Sequence, residues 1–133
     1  MKELDACVVI LGYNDLKRGE ASGEHVAGML LELRRLFCAR GMDAILVTIG
    51  SGRRDLEAQR ARANAKLLAE GAAVDCDQLT NTLDWHLWAD REHLTKEGYA
   101  AVGKFLAEVV SERTSARFAT ESEERRGSTL SMS

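Results

Sequence analysis

Residues 5–12, DACVVILG, form a short β-branched apolar run closed by a glycine, the pattern of a strand buried on both faces that ends at a turn. The period then changes. Between residues 22 and 40 the apolar Val26, Met29, Leu30, Leu33, Leu36 and Phe37 recur at helical spacing, with Glu32, Arg34 and Arg35 on the opposite side. This predicts an amphipathic helix begun by Ser22 and ended by Gly41. Residues 44–49, AILVTI, read as a second buried strand, and Gly50-Ser51-Gly52 as the turn that follows it. Residues 54–70 are rich in good helix formers and run into Gly71, and residues 72–76 are a third strand candidate. After a polar loop carrying Trp85 and Trp88, a last helix from about Thr95 is expected to bury Tyr99, Val102, Phe105, Leu106, Val109 and Val110.

The order β-α-β-α-β-loop-α predicts an α/β fold, a parallel sheet with helices on both faces and right-handed crossovers. Beyond residue 112 the sequence is polar and without helical period, so the chain divides into a folded part, 1–112, and an expected disordered polar tail, 113–133. The first strand is apolar on both faces, as a strand with neighbours on either side would be, so a further strand is expected upstream of it.

With 133 residues the chain has room for one core. Eighteen Lys and Arg against 21 Asp and Glu leave a net charge of −3, which excludes bulk electrostatic binding of nucleic acid. There is no run long enough to span a membrane and no signal-peptide layout at residues 1–5, so a cytoplasmic location is expected. Cys7, Cys38 and Cys76 are odd in number and widely spaced, which points to buried, reduced thiols and away from a disulfide framework or a CxxC zinc site. His86, Asp90 and His93 have thinkable metal spacing, but Trp85 and Trp88 around His86 suit loop packing or a pocket wall, and no metal is expected. A phosphate or dinucleotide loop is argued against by Asp55, an anion-repelling residue where the third glycine after Gly50 and Gly52 would be; no cofactor is expected.

In an open α/β sheet ligands bind beyond the carboxyl ends of the strands. Two clusters fall there. Gly12-Tyr13-Asn14-Asp15 follows the first strand and would project the Asn14 amide over the rim; read alone, Asn14 and Asp15 equally well make the turn. Asp90-Arg91-Glu92-His93 precedes the last helix. A carboxylate three residues ahead of a histidine can accept Nδ1–H and leave Nε2 as a general base, whereas a lone DxxH can also be a surface histidine with an incidental acid nearby.

Taken together, VVILGYND and DREHLTKEGYAAVGKFLA resemble the third and fifth sequence blocks of the SGNH hydrolase superfamily, the GDSL-type esterases and lipases. Gly12, Asn14 and Asp15 match the Gly-x-Asn-Asp of one block, and Asp90 and His93 match the Asp-x-x-His of the other. The resemblance covers about residues 5–110. It implies a three-layer flavodoxin-like sheet and hydrolysis of a small-molecule ester through a serine, with His93 as base, Asp90 as its orienting acid, and Asn14, with Gly12, at the oxyanion.

The chain departs from the family in one respect: the Gly-Asp-Ser nucleophile block and the block bearing the oxyanion glycine are absent from these 133 residues. Both are expected upstream of Met1, on the strand that would neighbour residues 8–11. Ser51 lies on the correct rim, but Gly50-Ser51-Gly52 is not a nucleophile elbow and reads as a turn. Ser22 reads as a helix start, and the tail serines fall in the unstructured segment. The chain alone is therefore expected to be weak or inactive as an esterase. The alternative is a non-catalytic binding module or truncated gene product of the same fold, and an exposed sheet edge would favour self-association.

Overall fold

The computed structural model describes residues 6–19, 21–71, 73–90 and 92–131, with side chains through residue 113 and at residue 115. The first strand, β1, is Ala6–Val9 and is shorter than residues 5–12; Asp5 lies outside the described residues. It is followed by a helix not expected from the sequence, α1, Tyr13–Arg18. Then come α2, Gly23–Ala39, capped by Ser22, and β2, Asp43–Val47. A 3-10 turn at Arg54–Leu56 leads into α3, Glu57–Ala69. Strand β3 is only Ala73–Val74; Ala72, the expected start of that strand, lies outside the described residues. A short α4, Cys76–Thr80, and a 3-10 turn at Trp85–Leu87 precede α5, Lys96–Ser131.

The strands are parallel and lie in the order β1-β2-β3, with Cys7 opposite Ala44, Val9 opposite Leu46 and Val47 opposite Val74. Alternation along β2 sends Ala44 and Leu46 to one face and Ile45 and Val47 to the other, and all four are buried. The first pair joins Val26, Ala27 and Leu30 of α2 and Ala63 and Leu67 of α3 in the main core. Asp43 shares the second face by the same alternation, and Arg113 of α5 is bidentate on its carboxylate at 2.9 and 3.1 Å, which places α5 there. The sheet is thus flanked by helices on both sides, as the alternating pattern predicts.

Three expectations of burial are corrected. Strand β1 is not covered on both faces: only Val9 is buried, and the succeeding Ile10 and Leu11 are 60% and 56% exposed. Its outer edge has no strand partner among the described residues, so its composition exceeds its coverage. Tyr99 is exposed and Val102, Phe105, Leu106, Val109 and Val110 are half-buried, because this helix meets the sheet chiefly along β1. Cys38 is exposed on α2 while Cys7 and Cys76 are half-buried; all three are free thiols.

The helix expected to stop near residue 112 continues to Ser131. Residues 113–126 contain Arg, Ala and Glu and no proline, a composition that a helix accepts even where no apolar stripe marks it. Residues 132–133 of the expected tail lie outside the described residues.

Candidate active site

Three loops meet at the carboxyl ends of the strands. The first begins at Gly12, whose backbone has φ 114°, a left-handed conformation that a side chain rarely adopts. A Cβ there would lie 2.9 Å from Ile49 Cδ1 and 3.2 Å from Val26 Cγ1, so the site requires glycine on both counts. The Gly12 carbonyl accepts the Leu16 N–H at 3.1 Å and starts α1, and buried Leu16 anchors it. Asn14 therefore sits in the first turn of a short helix and not in an open turn. Its side chain is exposed, and among the described residues it has no hydrogen-bond partner.

The second loop, Gly50-Ser51-Gly52, leaves β2 under the control of α3. Asn64 bonds both sides of the buried Ile49 peptide groups: its Oδ1 accepts Ile49 N–H at 2.8 Å and its Nδ2 donates to the Ile49 carbonyl at 2.9 Å. Arg60 adds a bond to the same carbonyl at 3.0 Å, reaches both Asp77 oxygens at 2.9 Å, and pairs with Glu57. Glu57 and Asp77 hold the guanidinium protonated, and its own burial opposes them. These polar residues were not anticipated, although Arg60, Ala63, Asn64 and Leu67 fall on one buried face of α3, and two polar positions on such a face were the available signal.

The third loop carries Asp90 and His93. A bridge between Trp88 and Leu94 closes it, and the Ala89 and Asp90 N–H groups donate to the His93 carbonyl at 2.9 and 3.2 Å. Thr95 accepts the Gly98 N–H at 3.1 Å and so caps α5. Within this loop Asp90 Oδ1 and Oδ2 each lie 3.0 Å from His93 Nδ1, and Oδ1 also accepts the Glu92 and His93 N–H groups at 2.7 Å. An ionised carboxylate can only accept, so the proton of the neutral imidazole is on Nδ1 and Nε2 is left with its lone pair. The Glu92 N–H bond first, then His93, holds the Asp90 carboxyl below its ordinary range. Both side chains are more than half exposed.

Tyr13 joins the three loops. Its hydroxyl donates to Glu92 Oε1 at 2.9 Å and accepts the Arg53 N–H at 3.1 Å, while Lys17 Nζ stands 3.4 Å from Glu92 Oε2. The phenol lies so close to Gly52 that a Cβ at that position would overlap it. The hydrogen bond from Tyr13 keeps Glu92 below the usual carboxylate range, and burial pushes the phenol up. A cleft of about 260 Å³ contains Gly12, Tyr13, Asn14 and Gly50 in its lining. A second, of about 560 Å³, is lined by Arg53, Arg54, Asp55, Asp90 and Glu92. The bonded pair Tyr13 and Glu92 contributes one residue to each.

Other candidates separate. Ser22 Oγ accepts the His25 N–H at 3.2 Å as a helix cap. Ser51 is half-buried, and among the described residues no serine hydroxyl is hydrogen-bonded to His93. His86 faces Asp84 at 4.0 Å, and among the described residues no group of three or more His, Cys, Asp or Glu side chains has a metal-binding arrangement. No helix among them is long and apolar enough to cross a membrane.

No protein-family model matches the sequence, and no curated protein does. Among solved structures the fold is similar to that of a GDSL-like lipase from Bacteroides thetaiotaomicron, with a TM-score of 0.64 at 19% sequence identity. The match covers 82% of this chain and 63% of the lipase, so the chain spans less than two thirds of that protein's length. The class defined is thus an α/β fold of the GDSL-lipase type, and the likeness is one of fold.

Proposed function

We propose that this chain carries the base and oxyanion side of a serine ester hydrolase: His93 as general base, Asp90 as the acid that orients it, and Asn14 as an uncharged donor to the tetrahedral oxyanion, with Gly12 shaping its turn. In this reading a serine hydroxyl attacks the ester carbonyl while His93 Nε2 takes its proton. The imidazolium, held by Asp90, then returns a proton to the departing alkoxide, and water repeats the cycle on the acyl-enzyme. The developing oxyanion needs preorganised donors, and an exposed Asn14 amide with no other partner among the described residues can serve. The observation that carries the reading is the Asp90–His93 pair at 3.0 Å, with Nε2 unengaged among the described residues.

The nucleophile is the component these residues do not provide, and a Gly-Asp-Ser segment encoded ahead of Met1 is its proposed source. The test is to read the preceding coding sequence, produce the chain with it, and measure p-nitrophenyl acetate hydrolysis and labelling by a fluorophosphonate. Serine labelling and turnover that both collapse in His93→Ala are expected, with little turnover from residues 1–133 alone. Turnover indifferent to His93→Ala, or serine-dependent turnover by residues 1–133 well above that variant, would overturn the reading. A binding module of the same fold is the second reading, favoured by the lack, among the described residues, of a serine on His93; ester binding without turnover in the longer chain would select it.

A further inference from the structure

We propose that Tyr13 is a positioning residue: by donating to Glu92 and accepting from the Arg53 N–H it holds the Asn14 turn, the Gly50–Gly52 loop and the Asp90–His93 loop as one unit. The inference deepens the esterase reading and rests on it for its catalytic meaning, although the clamp itself is a matter of geometry.

The partners of the phenol lie 79 and 40 positions away in sequence, at 2.9 and 3.1 Å. The bond to Glu92 joins two residues that each stand beside one given a catalytic role. Tyr13 adjoins Asn14, and Glu92 adjoins His93. A tyrosine hydroxyl has one proton to give and can accept in return, and here both capacities are used. The acceptor is a carboxylate, which makes the bond to Glu92 charge-assisted, and Lys17 steadies the other carboxylate oxygen from α1. Arg53 turns its guanidinium to Asp55 at 2.5 and 3.0 Å, so only its backbone N–H engages the phenol. A flat ring fits against Gly52 where any larger residue would displace it.

The dyad needs this help. Asp90 and His93 are fixed to each other by bonds within their own loop, but those bonds say nothing of where the loop stands relative to Asn14. Of the hydrogen bonds made by these loops among the described residues, the Glu92 contacts with Tyr13 and Lys17 are those that span from the third to the first, and the one from Tyr13 is the shorter. A displacement of about 1 Å between a base and an oxyanion donor can cost about 10²-fold in rate. A single well-seated phenol can therefore govern whether the two halves act on the same carbonyl.

The experiment compares Tyr13→Phe, Glu92→Leu and Glu92→Gln with the parent by ¹⁵N relaxation, amide exchange and thermal unfolding, and adds esterase kinetics in the serine-bearing chain. Backbone order at residues 92–94 should fall in Tyr13→Phe and Glu92→Leu, from about 0.85 toward 0.6 in order parameter. It should be retained in Glu92→Gln, whose amide oxygen still accepts. The Arg53 amide should exchange at least about 10-fold faster in Tyr13→Phe, having lost its acceptor, and not in Glu92→Leu. In kinetics the first two variants should lose kcat about 10- to 100-fold with KM nearly unchanged, while Glu92→Gln is rescued. Unchanged order at 92–94 in Tyr13→Phe, whatever its melting temperature, overturns the proposal and leaves the esterase reading standing. Loosened loops in a protein whose hydrolysis ignores His93 would instead keep the clamp and remove the esterase reading. Should Tyr13→Phe fail to fold, the Glu92 pair carries the same test.

Discussion

One carboxylate oxygen of Asp90 serves His93 twice, accepting its backbone N–H at 2.7 Å and facing its Nδ1 at 3.0 Å. The histidine is held by main chain and side chain from a single point three residues away, so its ring can turn toward another partner only by giving up that bond. The Glu92 N–H on the same oxygen closes the turn further. Such a turn is local and survives small shifts of the surrounding fold.

This arrangement sets the imidazole tautomer. Neutral His93 is expected to carry its proton on Nδ1, and long-range ¹H–¹⁵N spectra read this from the two ring nitrogens. In Asp90→Asn the amide can present N–H to Nδ1, and the proton should move to Nε2. An Nε2–H tautomer in the parent protein would remove the basis for His93 as a base.

The same carboxylate sets the behaviour of the turn in acid. Because the folded state holds Asp90 below its ordinary 3.8, the closing hydrogen bonds are fully present above that pH and are lost as pH falls through the lower folded value. The Glu92 and His93 amide protons should report this by NMR, moving together with a midpoint below 3.8. A midpoint at or above that value would contradict the bonding described.

Asn64→Leu should be destabilising although it replaces a polar residue with an apolar one of similar size. The buried Ile49 N–H loses its acceptor, at a cost of about 1–3 kcal/mol. A fall in melting temperature of about 3–5 °C per kcal/mol is expected by circular dichroism. The Ile49 carbonyl keeps Arg60, so a double change with Arg60→Met should cost more than the sum of the two.

Gly12→Ala should cost about 2 kcal/mol or more, from a left-handed backbone and from the overlap with Ile49 and Val26. Gly19 offers the control: φ is +71°, but a Cβ there meets nothing within 4 Å. Gly19→Ala should cost about 1 kcal/mol. Equal losses in urea unfolding would show that the packing at Gly12 contributes nothing.

The parts of the fold legible in the sequence are those written in a local period. Helix α2 and strand β2 are found within a residue or two because Val26 and Leu30, or residues 44–49, repeat at the spacing of the element that buries them. Helix α1 was hidden because Gly12, Asn14 and Asp15 are also turn formers, and the force that makes it helical is Leu16 entering a core contributed by α2 and β2. Asp90 and His93 are legible because their bond spans three residues. The Tyr13–Glu92 bond joins residues 79 positions apart in the sequence, and no local pattern marks such a pair. Tyr99 misled because a helical stripe announces an apolar face but not how far a neighbour extends over it.

Asn64 has an architectural consequence of its own. By answering both backbone groups of Ile49, a side chain on a helix substitutes for the next peptide along the sheet's lip. Strand β2 can accordingly run past its last ladder pair without leaving a dry amide at Ile49, and the rim tapers there instead of ending in a frayed border.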